Sequence, residues 1–119
     1  MDQRFAQMDQ RFVQMDQRFV QINQRFDTLE ARMIALNLNS VARVQNSMVS
    51  YLDRGLFPLV NVSTSENIPE FPKTLVAFNC ISNANINRVL LALGVGTDGT
   101  LEAKRDRLRD TIGIKVDGV

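Results

Sequence analysis

The first twenty-one residues are three near-identical copies of one heptapeptide, MDQRFAQ, MDQRFVQ and MDQRFVQ, and two looser copies, INQRFDT and LEARMIA, carry the count to residue 35. A seven-residue period whose apolar positions are separated alternately by four and three residues keeps one stripe of an α-helix turned toward a partner, which is the pattern of a coiled-coil seam. Phe5, Phe12, Phe19, Phe26 and Met33 take position a, and Met8, Met15, Ile22, Leu29 and Leu36 take position d. Core packing between helices, rather than a cofactor box, is the expected role of this Phe and Met stripe.

The same register sorts the charges. Asp2, Asp9, Asp16, Asn23 and Glu30 stand at e, and Arg4, Arg11, Arg18, Arg25 and Arg32 fill every g. In a parallel, in-register assembly each g residue meets the following e residue of a neighbour, so Arg4 faces Asp9, Arg11 faces Asp16 and Arg25 faces Glu30. Antiparallel pairing sets Arg against Arg and Asp against Asp. One exposed pair contributes only about 0.2 to 1 kcal/mol, but a row of attractions against a row of repulsions decides orientation and partner. The chain is therefore expected to pair with itself. Bulky Phe at a, with Val13 and Val20 adding apolar groups at b, widens the stripe beyond a two-stranded seam and favours a trimer or a tetramer.

The register weakens after Leu36. Asn37, Asn39 and Ser40 are poorer helix residues, Ser40 falls where the next a residue belongs, and apolar positions resume one residue out of phase at Val41, Val44, Met48 and Tyr51. A skip in a continuous helix is the simpler expectation; a break near Asn39 is the alternative. Gly55 and Pro58 then stop whatever helix reaches Leu52. The expected organisation is a rod over 1–54, a proline-containing linker over 55–73 and a small helical module over 74–119, an all-α chain. Leu59, Val60, Val62, Ile68 and Phe71 make the linker too apolar for a solvated tether, so it should lie across the helices or pair as a short strand. Thr74, Ser82 and Thr100 are candidate helix N-caps, and Gly94 and Gly113 candidate stops. The last helix should present Leu101, Leu108 and Ile112 on one face. A module of roughly 60 residues buries little apolar surface, so contacts in the oligomer are expected to support it.

Little in the composition calls for catalysis. The chain has no histidine, which removes Ser-His-Asp triads, Cys-His pairs and imidazole metal sites, and its one cysteine, Cys80, forms neither an intrachain disulfide nor a zinc cluster. Cys80 is expected to be a packed thiol. Glu102, Asp106 and Asp110 recur every fourth residue and are expected to form a solvated helical stripe rather than an acid–base pair. GVGTDG, residues 94–99, follows a helix rather than a strand and lacks the GKS or GKT ending of a phosphate loop. No catalytic residue, cofactor or metal is therefore expected. With 14 Lys and Arg against 13 Asp and Glu, the net charge of +1 exerts no general pull on nucleic acid or anionic membrane. MDQRFAQ lacks the character of a signal peptide, and no stretch approaches a membrane span. A soluble, intracellular protein, cytoplasmic or nuclear, is expected.

The run LLALGVGTDGTLEAKRDRLRDTIG is similar to the SAP family of helix, extended turn, helix modules, many of which bind DNA. Leu93, Gly94, Val95, Thr97, Gly99 and Leu108 stand where that family has the end of its first helix, its Gly-Leu step, its Thr-Ser-Gly turn and a leucine of its second helix. The likeness covers about the last quarter of the chain and implies Lys104, Arg105, Arg107 and Arg109 as nucleic-acid contacts. The chain departs from the family in carrying Leu101 and then Lys104 and Arg105, where the family has a basic residue just after the turn and aliphatics in mid-helix. Basic and acidic residues also alternate here, which is the mark of a salt-bridged solvent face. The layout of heptads, an FP-containing linker and an LGV and GT ending further resembles uncharacterised fungal coiled-coil proteins, a likeness that implies no activity. The expected function is non-enzymatic self-association that presents several copies of a small module to another protein, with oligomeric DNA binding as the alternative.

Overall fold

The computed structural model describes residues 2–49 and 55–115. Met1, Tyr51 and Leu52, to which the sequence assigns a seam residue, a packing residue and a helix end, lie outside these residues, as do 116–119. Among the described residues four helices follow in order: α1 over Asp2–Asn46, α2 over Leu75–Asn79, α3 over Asn83–Ala92 and α4 over Leu101–Ile112. Among the described residues there is no strand, only two isolated antiparallel bridges, Gly55 with Thr74 and Val60 with Asn67.

Helix α1 is continuous for 45 residues. No glycine or proline precedes Gly55, and Gln, Arg, Met, Ala and Leu dominate the segment, so nothing interrupts the hydrogen-bond ladder through Asn37–Ser40. It ends at Asn46, short of the rod boundary expected at residue 54, and Ser47–Met48 form a turn. The chain divides into two compact units, Met1–Glu30 and Ala31–Val119, so the last turns of α1 belong with the module.

In the second unit, Thr74, Ser82 and Thr100 each accept a hydrogen bond through the side-chain oxygen from the backbone N–H three residues on, at 3.0, 3.2 and 3.1 Å, relieving one unpaired donor at the start of α2, α3 and α4. Helices α3 and α4 both end in a Schellman turn. Val95 N–H reaches Leu90 C=O at 2.9 Å after Gly94 (φ 72°), and Ile114 N–H reaches Arg109 C=O at 3.1 Å after Gly113 (φ 89°).

Leu59, Phe78, Ile86, Leu90, Leu108 and Ile112 form the centre of one core that also takes in Ala42 from α1 and Leu56 and Ile68 from the linker. Burying side chains of this size contributes roughly 1.5 to 3 kcal/mol each. The linker lies across the helices: Leu56 N–H binds Lys73 C=O at 2.7 Å, closing its base, and Val62 N–H binds Ala92 C=O at 3.0 Å, capping the end of α3. Leu59, Val60 and Ile68 are buried and Val62 and Phe71 half-buried. Two expectations are corrected. Cys80 is exposed, because it caps α2 with its backbone while the buried positions there go to Phe78 and Ile81. Leu101 is 41% exposed, because it is the first residue of α4 and the packed face begins further along, at Leu108 and Ile112.

Candidate functional site

The first unit is a single helix whose apolar stripe is exposed. Phe5, Met8, Phe12, Met15, Phe19, Ile22, Phe26 and Leu29 are between 44% and 64% exposed. Half-exposed side chains of this size leave on the order of 800 Å² of apolar surface on one stripe, above the roughly 300–600 Å² of the largest patch on an ordinary monomer. Val13 and Val20, each 55% exposed, flank the stripe. Arg4, Asp9, Arg11, Asp16, Arg25 and Glu30 are all exposed, and no ion pair forms among the described residues of this unit. The remaining seam residues, Met33 and Leu36, fall in the second unit and are exposed there as well.

In the second unit α1 docks the module through Ala35, Asn39, Ala42 and Asn46, all buried. The spacing of four, three and four places these side chains on one face. The alanines let the backbone of the module approach, and the asparagines hold it. Asn39 donates through Nδ2 to Val60 C=O at 3.0 Å and accepts from Val60 N–H at 2.7 Å. One turn pair further on, Asn46 treats Phe57 in the same way, at 3.0 and 2.7 Å, and also donates to Ile112 C=O at 2.8 Å. Arg43 donates through Nε to Thr111 C=O at 2.6 Å, so a cation and an amide of α1 satisfy carbonyls that the last turn of α4 leaves unpaired. Gly113 packs directly against the Arg43 backbone.

The four basic residues of α4 do not form one free stripe. Residues two apart on a helix differ by about 200°, so Arg107 and Arg109 point to opposite flanks. Arg107 donates to Gly96 C=O at 2.7 Å and Asp98 C=O at 2.9 Å and lies 3.7 Å from the Asp98 carboxylate, pinning the glycine turn. Arg109 pairs with Asp106 at 2.7 Å and stands 5.5 Å over the Phe78 ring. Lys104 donates to Asn83 Oδ1 at 3.2 Å, and Arg105 is half-buried with its Nε enclosed and unpaired among the described residues. Glu102, Asp106 and Asp110 are exposed, as a solvated stripe requires.

The residues that bind module to helix, Asn39, Arg43, Asn46 and Gly113, are absent from the sequence-derived site. The signal for them is a second seven-residue pattern on α1: Ala35 and Ala42, Asn39 and Asn46 repeat at the heptad spacing, on the side of the helix opposite Val41 and Val44. Among the described residues no cluster of three or more metal-ligating side chains occurs, and no helix is long and apolar enough to cross a membrane. Compared with protein-family models, curated proteins and solved structures, the chain has no match.

Proposed function

We propose that the chain is a non-enzymatic scaffold: its heptads assemble it into a parallel homo-oligomer of three or four copies, each carrying one small helical module for a protein partner. The observation that carries the reading is the unpartnered Phe and Met stripe of the first unit, exposed along every heptad and flanked by acidic and basic rows that complement a second copy of the same helix. A coiled coil buries such a stripe, and the alternation of charge sets its direction.

Sedimentation equilibrium on the intact chain and on the Phe12→Asp, Phe19→Asp double variant tests it. A discrete trimer or tetramer that the double variant abolishes is expected. A monomer at micromolar concentration, or an oligomer indifferent to both changes, sinks the proposal.

A second reading, an oligomeric SAP-like module that binds DNA, draws support from the α3, glycine turn, α4 arrangement with left-handed Gly94 and Gly99. It needs basic side chains that are otherwise held by Asn83, the turn carbonyls and Asp106. Retention on DNA at low salt that falls steeply with added salt would favour it; no retention removes it.

A further inference from the structure

Around α1 at about 100° per residue, Met33, Leu36, Val41 and Val44 centre about 160° from the face made by Ala35, Asn39, Ala42 and Asn46, and Met48 follows in the turn after the helix. The second face is filled by the chain's own module. The first is bare: Met33 is 64%, Leu36 60%, Val41 58%, Val44 57% and Met48 74% exposed. Because the asparagine clamps and the Gly113 contact fix which side of the helix the module occupies, the helix cannot turn this apolar face inward. Its open end runs into a hollow of about 390 Å³ lined by Gln45, Met48, Val49, Gly55 and Phe57.

From this arrangement we infer that the interface between copies does not stop with the last heptad at Leu36 but continues through Val44 and Met48 to Phe57, with a second, parallel copy of this chain as its occupant. The inference rests on the scaffold reading above and extends it. Three features choose the occupant. Between Met33 and Met48 the only charged side chain is Arg43, which is committed to Thr111 C=O, so the face offers no charge for a basic or acidic partner to read. Met33 and Leu36 are at once the final a and d residues of the repeat and the start of this face, so the helix that fills the heptad seam is the one that arrives here. The module sits on the far side and leaves the approach clear. The one-residue shift between Leu36 and Val41 places exposed Asn37 and Ser40 at the changeover, where a looser layer absorbs the change of phase.

Cysteine cross-linking tests this on the full chain in a Cys80→Ser background. In a parallel, in-register interface, equivalent residues at a seam position approach within the roughly 4.4–6.8 Å Cα range of a disulfide. Val44→Cys should therefore oxidise to disulfide-linked pairs in most chains at micromolar concentration. Leu38→Cys, 50% exposed and about 120° around the helix, should remain a thiol. Met48→Asp, at an exposed position, should leave helix content unchanged and raise the concentration needed for assembly at least tenfold. An oligomer in which the Val44→Cys chain links no better than the Leu38→Cys chain, or in which Met48→Asp changes nothing, overturns the inference while leaving the heptad reading intact. A monomeric parent chain overturns both.

Discussion

Asn39 binds Val60 as a neighbouring strand would, giving one hydrogen bond to its carbonyl at 3.0 Å and taking one from its N–H at 2.7 Å. A side-chain amide is the group able to do this from a helix, since it presents a donor and an acceptor in one plane at the separation of a peptide unit. Asn39 is 1% exposed and Val60 8%, so water is in no position to replace either bond. Asn39→Ala leaves a buried N–H and a buried C=O unpaired and should cost about 2 to 4 kcal/mol, read as a lower denaturant midpoint at unchanged slope. A loss below about 0.5 kcal/mol would mean that the linker is held by its apolar side chains alone.

Gly113, which caps the end of α4, packs against the backbone of Arg43 in α1. A Cβ there would stand 2.8 Å from Arg43 Cα and 2.9 Å from its carbonyl carbon, both backbone atoms that cannot swing aside, and φ of 89° is itself unfavourable for a side chain. Gly113→Ala should destabilise the second unit by about 2 kcal/mol or more, from overpacking and left-handed strain together. Thermal unfolding followed at 222 nm checks this, and an unchanged melting temperature would place the two backbones further apart.

Arg107 and Asp98 separate a hydrogen-bond effect from an ion-pair effect. The guanidinium makes two short bonds to turn carbonyls but lies 3.7 Å from a carboxylate whose side chain is 89% exposed. Arg107→Ala should cost about 1 to 2 kcal/mol and speed amide exchange at Gly96 to Gly99. Asp98→Asn should cost under about 0.5 kcal/mol. Equal losses would give the ion pair a weight that its exposure does not explain.

The charge rows make a partner-exchange prediction. A chain with Arg11→Glu and Arg25→Glu, and a chain with Asp16→Lys and Glu30→Lys, should each assemble more weakly than the parent, because like charges then face each other at g and e. Mixed in equal amounts they should assemble together, which sedimentation of one labelled chain detects. Each restored pair is worth only about 0.2 to 1 kcal/mol, so the contrast should fade as salt is raised toward 1 M. Homotypic assembly undiminished by either set of reversals would rule out parallel g to e contacts.

Cys80 should react fully with a thiol reagent in the folded protein, since it is exposed, and Cys80→Ser should shift stability by less than about 0.5 kcal/mol. A thiol that reacts only after denaturant is added would contradict the exposure.

What can be read from this sequence is what local chemistry decides. Thr74, Ser82 and Thr100 cap helices that begin at the very next residue, and Gly94 and Gly113 end helices that precede them, so the outline of the module is visible without any tertiary knowledge. The heptads are legible for the same reason: their meaning is a period. Asn39 and Asn46 are not legible in this way, because the groups that explain them lie 21 and 11 residues along the chain, and until those are known an asparagine in a helix counts only as a weak residue. Cys80 and Leu101 fail differently. Average burial makes each a core residue, whereas the cap of α2 and the first turn of α4 turn them outward.

Helix α1 counts in sevens on two faces, and the two counts differ in how they tolerate slippage during replication. Near-identical MDQRFVQ units can be gained or lost whole, and each such event returns every later residue to the same side of the helix. Between Ala35 and Asn46 there is no such freedom: one inserted residue rotates everything beyond it by about 100° and draws an asparagine away from Phe57 or Val60. Homologous chains should therefore vary in the number of repeats in multiples of seven and hold the Ala35 to Asn46 interval at constant length.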